Sequence, residues 1–197
     1  MSAVIDLRAY RGEQRSRLLV MVDLQMRNYD DLAADPLCDI TGSLENCMAA
    51  IQHARSSGLP IAFTRRAAEP GLSERSAHSA WIAGFEPKRY DMVFERQGPS
   101  LYANRLFDDI VSQSGSFALA GLVADETCLA TAIDAVDRGH HVTFLSDASV
   151  SRGRPETDAR SVHVVTTKAM ELFADVRATR RWLIATSQRT SRGHRYG

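Results

Sequence analysis

The sequence predicts an α/β fold, a three-layer sandwich in which helices cover both faces of a parallel sheet of about six strands. Strand-like and helix-like segments alternate along the chain, without an internal repeat or a linker that would divide it. The first strand is a continuous apolar run, which is typical of strands buried on both faces of a parallel sheet. Residues 116–149 read as strand, turn, helix and strand. That order is typical of a right-handed parallel crossover.

The first half of the chain carries three predicted strands and two predicted helices. The apolar run at 17–23 is the first strand, and residues 24–40 read as a loop. The first helix starts at Thr41 with apolar residues at core-facing spacing, and Gly58 ends it. The remaining segments of this half are a strand at 60–64, a long irregular loop at 65–90, a strand at 91–95 and an amphipathic helix at 102–112.

The second half repeats the alternation. A buried strand at 117–120 ends at Gly121, and the helix that follows the next turn is closed by Gly139. The predicted elements are that helix at 127–138, a strand at 141–145, a loop at 152–158, a helix at 159–170, a short edge strand at 172–176 and a last helix from residue 179.

Composition points to one soluble domain. The chain has 197 residues, and 44% of them are hydrophobic. Its 24 basic and 24 acidic residues cancel, which offers no electrostatic case for nucleic acid or membrane binding and permits self-association into a homo-oligomer. Neither a membrane span nor a signal peptide is evident, and three widely spaced cysteines indicate a reducing, cytoplasmic setting. We expect an N-terminal arm at 1–17, one domain at 18–185 and a flexible tail at 186–197.

Reactive side chains follow three of the predicted strands. Asp23 ends the first strand, Arg96 comes just after the third, and Thr127 and Cys128 lie in the turn after the fourth. In open parallel sheets, ligands bind beyond the carboxyl ends of the strands. A free thiol has a pKa of about 8.5, so a nearby cation and a helix N-terminus would be needed to make Cys128 a thiolate at neutral pH.

The chain resembles the isochorismatase-like cysteine hydrolase family from Leu18 to about Leu183. The stretches that carry the resemblance are VMVDLQ, WIAGFEPKRYDMVFER and AGLVADETCLATAIDAVDRGHHVTFLSDA. The resemblance implies an Asp-Lys-Cys triad in which the aspartate takes the thiol proton, the lysine supplies charge and the thiolate attacks an amide-type carbonyl. Asp23 matches the aspartate, and Arg96 stands where the family has lysine. The resemblance also implies a non-proline cis peptide beside the oxyanion hole, at the turn of Val123 and Ala124.

The position of the nucleophile is left open. In the family the cysteine comes six residues after the strand-ending glycine and four before a Thr-Ala pair, and both spacings lead here to Thr127. Cys128 is one residue further on, which is a rotation of about 100° on a regular helix. Either the turn holds an extra residue and Cys128 is the nucleophile, or Thr127 fills the position and Cys128 is a neighbour.

These observations favour a hydrolase that cleaves a C–N, amide-like bond of a small molecule, with Asp23 as base, Arg96 as electrostatic partner and Cys128 as nucleophile. One alternative is a catalytically degenerate relative that binds a ligand. Another is acid catalysis by Asp23, without a thiol, to cleave a vinyl ether. We expect no cofactor. The metal site of some relatives needs histidines after the second strand, where this chain has Thr64 to Glu69, so we expect no metal.

Overall fold

The structure is a computed structural model that describes residues 17–67 and 80–187. Most of the predicted arm, residues 1–16, and most of the predicted tail, residues 188–197, lie outside the described residues. The same is true of residues 68–79 in the loop expected at 65–90.

Six strands and six α-helices alternate through the described residues. The strands are β1 (Leu19–Val22), β2 (Ile61–Arg66), β3 (Met92–Arg96), β4 (Ser116–Gly121), β5 (His141–Ser149) and β6 (Asp175–Arg177). The helices are α1 (Met26–Ala33), α2 (Ile40–Ser57), α3 (Arg105–Ser114), α4 (Leu129–Asp137), α5 (Ala159–Met170) and α6 (Thr179–Ser187). A 3₁₀ turn at Leu101–Ala103 precedes α3, and a π-helical turn at Ala124–Cys128 precedes α4.

The strands form one six-stranded sheet in the order β3-β2-β1-β4-β5-β6, and every pairing is parallel. The central strand β1 is buried on both faces, because Leu19 and Met21 pack in one apolar cluster and Val20 and Val22 in the other. The first cluster includes residues of α1, α2 and α6, and the second includes residues of α3, α4 and α5. The predicted three-layer α/β sandwich with a parallel sheet is confirmed.

Several strands end later than the sequence predicts, and β6 is shifted to Asp175–Arg177 from the predicted 172–176. Strand β2 continues to Arg66, and β3 includes Arg96 as its last residue. Strand β5 continues to Ser149, past the polar pair at 146–147. The pairing of β4 with β5 shifts register near its end, where Gly121 pairs with Ser149. This irregular pairing extends β5 beyond the polar residues at 146–147.

Helix α1 corrects the prediction of a loop at 24–40. Only Asn28 and Leu32 of this helix are buried, and no side chain caps its start. The helix has only eight residues, and the three apolar residues that pack against the first cluster, Met26, Tyr29 and Leu32, are too few to identify a helix in the sequence. Leu32 packs in the first apolar cluster, and this tertiary contact stabilises a helix that the sequence pattern alone does not identify.

Helix α3 starts later than predicted. Its apolar residue Leu106 is 67% exposed, while Phe107 and Val111 are buried. The 3₁₀ turn before α3 changes where the helix begins, and Asn104 caps it by accepting a hydrogen bond from the backbone N–H of Leu106 at 3.0 Å.

Among the described residues, no helix is long and apolar enough to cross a bilayer.

Candidate active site

Asp23 lies directly after β1 in a left-handed backbone conformation with φ of +50°. This conformation is unfavourable for a residue with a side chain, so the surroundings have to hold it. The backbone N–H of Asp23 donates to the carbonyl of Thr64 at 3.1 Å, and its carbonyl accepts from Asn28 Nδ2 at 2.9 Å. The end of β2 and the start of α1 thereby hold Asp23 at the carboxyl edge of the sheet.

The carboxylate of Asp23 forms a buried ion pair with Arg96. Arg96 Nε donates to Asp23 Oδ2 at 3.0 Å, and Arg96 Nη2 contacts the same oxygen. The hydroxyl of Thr64 donates to Asp23 Oδ1 at 3.0 Å. Asp23 is 0% exposed and Arg96 is 4% exposed. The structure therefore brings these two predicted site residues, which are far apart in sequence, into direct contact.

Burial and charge act in opposite directions on Asp23. Burial raises the pKa of the Asp23 carboxyl above its ordinary value, and the charge of Glu126 adds to the rise. The Arg96 guanidinium and the Thr64 hydroxyl stabilise the carboxylate and oppose the rise in pKa. Arg96 Nη1 is also engaged, since it donates to the carbonyl of Gly98 at 2.8 Å. Arg96 is therefore held as the partner of Asp23.

The turn at Val123 and Ala124 differs from the expectation. No cis peptide bond occurs among the described residues, so the expected cis bond is wrong. Val123 instead adopts a left-handed conformation with φ of +63° and makes the turn into the π-helical segment. The backbone N–H of Ala124 donates to the carbonyl of Val150 at 2.7 Å, so this donor is already used. An oxyanion-binding role for this turn stays a prediction.

Cys128 and Thr127 are both completely buried. The Cys128 side chain packs in the second apolar cluster and is 0% exposed. Burial is the main cause that raises the pKa of the Cys128 thiol, the charge of Asp23 adds to the rise, and the charge of Arg96 opposes it. Among the described residues, the side chains that donate hydrogen bonds to the Asp23 carboxylate are those of Arg96 and Thr64, and the Cys128 thiol is not one of them. Within the described residues, the Thr127 hydroxyl has no hydrogen-bond partner.

We expect iodoacetamide at pH 7 to leave Cys128 unmodified in the folded chain, because the thiolate is the reactive form and burial disfavours it. Cys47 is the matched control: it is equally buried, burial raises the pKa of its thiol, and its sulfur donates to the carbonyl of Ala148 at 3.1 Å. Peptide mass spectrometry before and after unfolding in urea measures both residues. Rapid modification of Cys128 with Cys47 protected would contradict this expectation and favour a thiolate nucleophile.

Sequence reasoning missed Thr64 and Asn28, which hold the Asp23 side chain and backbone. Thr64 is a polar residue at the end of the predicted second strand, and that position is the signal that could have identified it. Parallel strands end together, and Thr64 pairs with Val22, the residue before Asp23. Asn28 lies in the helix that the sequence pattern did not reveal.

A second set of contacts connects this site to the segment after β5. Asp125, in the turn before α4, accepts from the backbone N–H of Arg152 at 3.2 Å and forms an ion pair with Arg154. Arg152 Nη2 donates to Asn28 Oδ1 at 2.6 Å, and Asn28 in turn holds the carbonyl of Asp23. The segments after β1, β4 and β5 thus meet at one edge of the sheet.

Among the described residues, no group of three or more histidine, cysteine, aspartate and glutamate side chains could hold a metal ion. The expected absence of a metal and of a cofactor in the whole chain stays a prediction.

Residues 17–180 match the isochorismatase domain family. The chain belongs to this family. Solved structures with the same fold include an isochorismatase from Pseudomonas putida KT2440, with a TM-score of 0.77 and 20% identity over 92% of this chain and 99% of that one. A cysteine hydrolase from Pseudomonas syringae pv. phaseolicola has a TM-score of 0.78 and 16% identity, with coverage of 87% and 93%.

An N-carbamoylsarcosine amidase from Thermoplasma acidophilum is also similar, with a TM-score of 0.66 and 24% identity over 83% of this chain and 96% of that one. These likenesses establish the fold of the isochorismatase family member described here. No curated protein matches its sequence.

Proposed function

We propose that the chain is a small-molecule hydrolase in which Asp23 transfers the proton, Arg96 is its electrostatic partner and no cysteine thiolate is needed. The bond that suits this chemistry is an acid-labile C–O bond of the vinyl-ether type. The observation that carries the proposal is the buried Asp23 carboxyl group, which accepts hydrogen bonds from Arg96 and Thr64, whereas Cys128 lies in an apolar cluster.

The environment of Asp23 suits an acid–base group. A general acid must carry its proton near the working pH, and burial moves the pKa of Asp23 in that direction. When the proton leaves, the new carboxylate lies beside the Arg96 guanidinium, which stabilises it without rearrangement. Arginine suits this role because it stays charged and needs no neutral form.

In the proposed reaction, Asp23 gives its proton to the terminal carbon of the vinyl ether. The electron pair of the C=C bond forms the new C–H bond, and a lone pair of the ether oxygen stabilises the cationic carbon. Water adds to that carbon and returns a proton to Asp23. The resulting hemiketal collapses to a carbonyl compound and an alcohol, so one water molecule is consumed and Asp23 is regenerated.

A second candidate is C–N hydrolysis through a Cys128 thiolate. The observation that favours it is electrostatic: the charges of Asp23 and Arg96 both reach the Cys128 thiol, and the charge of Arg96 favours the thiolate. The similarity in fold to an N-carbamoylsarcosine amidase agrees with this bond type. For this candidate the thiol has to leave its apolar surroundings and become ionised, which its burial opposes.

Turnover of two probes, isochorismate and N-carbamoylsarcosine, separates the candidates. We expect wild type to hydrolyse isochorismate, Asp23→Asn to lose a factor of about 10²–10⁴ in kcat, and Cys128→Ala to stay within about threefold of wild type. Asp108→Asn, on the surface of α3, and Cys47→Ala are the matched controls.

The opposite pattern would overturn the proposal. Hydrolysis of N-carbamoylsarcosine that Cys128→Ala abolishes and Cys47→Ala preserves would establish the thiolate candidate. Binding of either probe in calorimetry without any turnover would favour a ligand-binding relative that has lost catalysis.

A further inference from the structure

Ser151, which is buried, and His163, which is half-buried, form a pair that the Asp23 chemistry does not use. Ser151 follows β5, and His163 lies on α5. Ser151 Oγ is 3.1 Å from His163 Nδ1, and His163 Nε2 is 3.0 Å from the carbonyl oxygen of Ser146. A serine, a histidine and a third group that orients the imidazole ring are therefore joined in one hydrogen-bonded chain.

The hydrogen-bond partners of His163 determine which of its ring nitrogens carries the proton. A backbone carbonyl only accepts, so His163 Nε2 donates to Ser146. Burial lowers the pKa of His163 and so favours the neutral ring, although the Ser146 carbonyl and the charge of Asp125 oppose this. The lone pair of Nδ1 then accepts the hydroxyl proton of Ser151. In this arrangement the base points at the nucleophile and a third group fixes the base.

The pair lies against the turn that precedes α4. Hydrogen bonds tie both neighbours of Ser151 to that turn, since the carbonyl of Val150 accepts from Ala124 at 2.7 Å and the N–H of Arg152 donates to Asp125 at 3.2 Å. A cavity of about 530 Å³ begins at the next residue along the chain. Its lining includes Arg152, Gly153, Arg154, Thr157 and Asp158 from the segment after β5, and Asp31 from α1.

We infer that Ser151 is a second nucleophile of this chain, with His163 as its base, and that it takes the acyl group of a small carboxylic ester. Ser151 Oγ attacks the carbonyl carbon while His163 Nδ1 accepts the hydroxyl proton. The C–O bond to the leaving group then breaks, and the alkoxide takes that proton. Water, deprotonated by the same nitrogen, releases the acid and restores Ser151.

The surroundings limit the ester that fits. Ser151 is 1% exposed and is the chain neighbour of the cavity residue Arg152, so we infer that the acyl group it takes is small. The cavity beside it is lined by the carboxylates of Asp31, Asp35 and Asp158, while both of its guanidinium groups pair with aspartates. An anionic leaving group would meet these carboxylates, so we infer a neutral or positively charged alcohol portion.

Methanesulfonyl fluoride, a small reagent that sulfonylates activated serines, tests the inference. The Ser151 Oγ–S bond forms, the S–F bond breaks, and His163 takes the proton and passes it to water. We expect peptide mass spectrometry of the full chain to find one methanesulfonyl group on Ser151. His163→Asn keeps a hydrogen-bond acceptor near the Nδ1 position but no base, and we expect it to react at least about 100-fold more slowly.

An internal control residue and one further variant make the result specific. Ser149 is the matched control, because it is equally buried at the end of β5 but donates to the carbonyl of Leu145 and has no histidine partner, so it should stay unmodified. Asp23→Asn should react like wild type, since the pair does not depend on Asp23. Loss of vinyl-ether hydrolysis in that variant therefore leaves this inference standing.

Three results would overturn the inference. These are an unmodified Ser151 in folded wild type, equal modification of Ser149 and Ser151, and an equal rate in His163→Asn. If Ser151→Ala folds, the loss of the methanesulfonyl label in this variant confirms the labelled position. If it does not fold, the labelling rates of wild type and His163→Asn are sufficient to test the inference.

Discussion

Gly121→Ala should leave little folded protein at 25 °C. Gly121 ends β4 with φ of +125°, a conformation that residues with side chains rarely adopt. A Cβ built there would lie 2.6 Å from the backbone nitrogen of Val22 and 2.9 Å from its carbonyl carbon, and it would also clash with the carbonyl oxygen. Since these are atoms of the central strand, no side chain can move aside.

We expect a cost of more than about 4 kcal/mol, which is a large part of the total stability of a typical domain. Gly121 pairs with Val22, directly before Asp23, so the same clash would displace the candidate site. Urea unfolding followed by circular dichroism measures the change.

Gly115→Ala is the control for the backbone effect alone. Gly115 also has a positive φ, of +70°, but a Cβ there would meet nothing within 4 Å. We expect this control to cost about 1 kcal/mol, the conformational penalty without the clash. A loss of stability in Gly121→Ala no larger than in Gly115→Ala would show that β1 and β4 do not approach each other as described.

Arg96→Met should destabilise the fold by about 3–5 kcal/mol at pH 7, because it leaves the Asp23 carboxylate buried without its counter-charge. Arg65→Met is the control. Arg65 on β2 pairs with Glu95 on β3, but that pair is partly exposed and should contribute less than about 1 kcal/mol. Urea unfolding of both variants checks the difference, and equal small losses would contradict a buried ion pair at Asp23.

Two further measurements assign the effect of Arg96→Met to the unpaired carboxylate. The double variant Asp23→Asn/Arg96→Met removes the charge and should regain stability relative to Arg96→Met. Burial raises the pKa of Asp23 in the folded chain above its unfolded value. Protonation of Asp23 therefore favours the folded state most fully below the unfolded pKa, and that contribution is lost as the pH rises through the folded pKa. The deficit of Arg96→Met relative to wild type should accordingly shrink from pH 7 to pH 4.

The layered fold could be predicted well, because buried strands of a parallel sheet appear in the sequence as continuous apolar runs. The run before Asp23 is apolar on both faces, and the glycine at the end of β4 marks the close approach to β1. Helix α1 is different, because it has only eight residues and its apolar residues Met26, Tyr29 and Leu32 are too few to distinguish a helix from a loop in the sequence. Local pattern was therefore sufficient for the sheet and insufficient for this helix.

The candidate site could likewise be predicted only in part from the sequence. Asp23 and Arg96 could be predicted as neighbours because each ends a strand, and strand ends of a parallel sheet share one edge. The direct contact of Arg96 with Asp23 and the burial of Cys128 depend on side-chain directions that spacing alone does not give. The pair of Ser151 and His163 joins residues from a loop and a helix and has no motif to reveal it.

Titration of the Asp23 carboxyl group tests most directly whether Asp23 is the group that carries the proton. Carbon-13 NMR of aspartate-labelled protein, with the Asp23 signal assigned from Asp23→Asn, gives the midpoint in the folded chain. We expect a pKa above the ordinary value of 3.8, with a still higher value in Arg96→Met. A midpoint at or below 3.8 in wild type would mean that Asp23 is only a permanently ionised partner of Arg96 and would contradict the account.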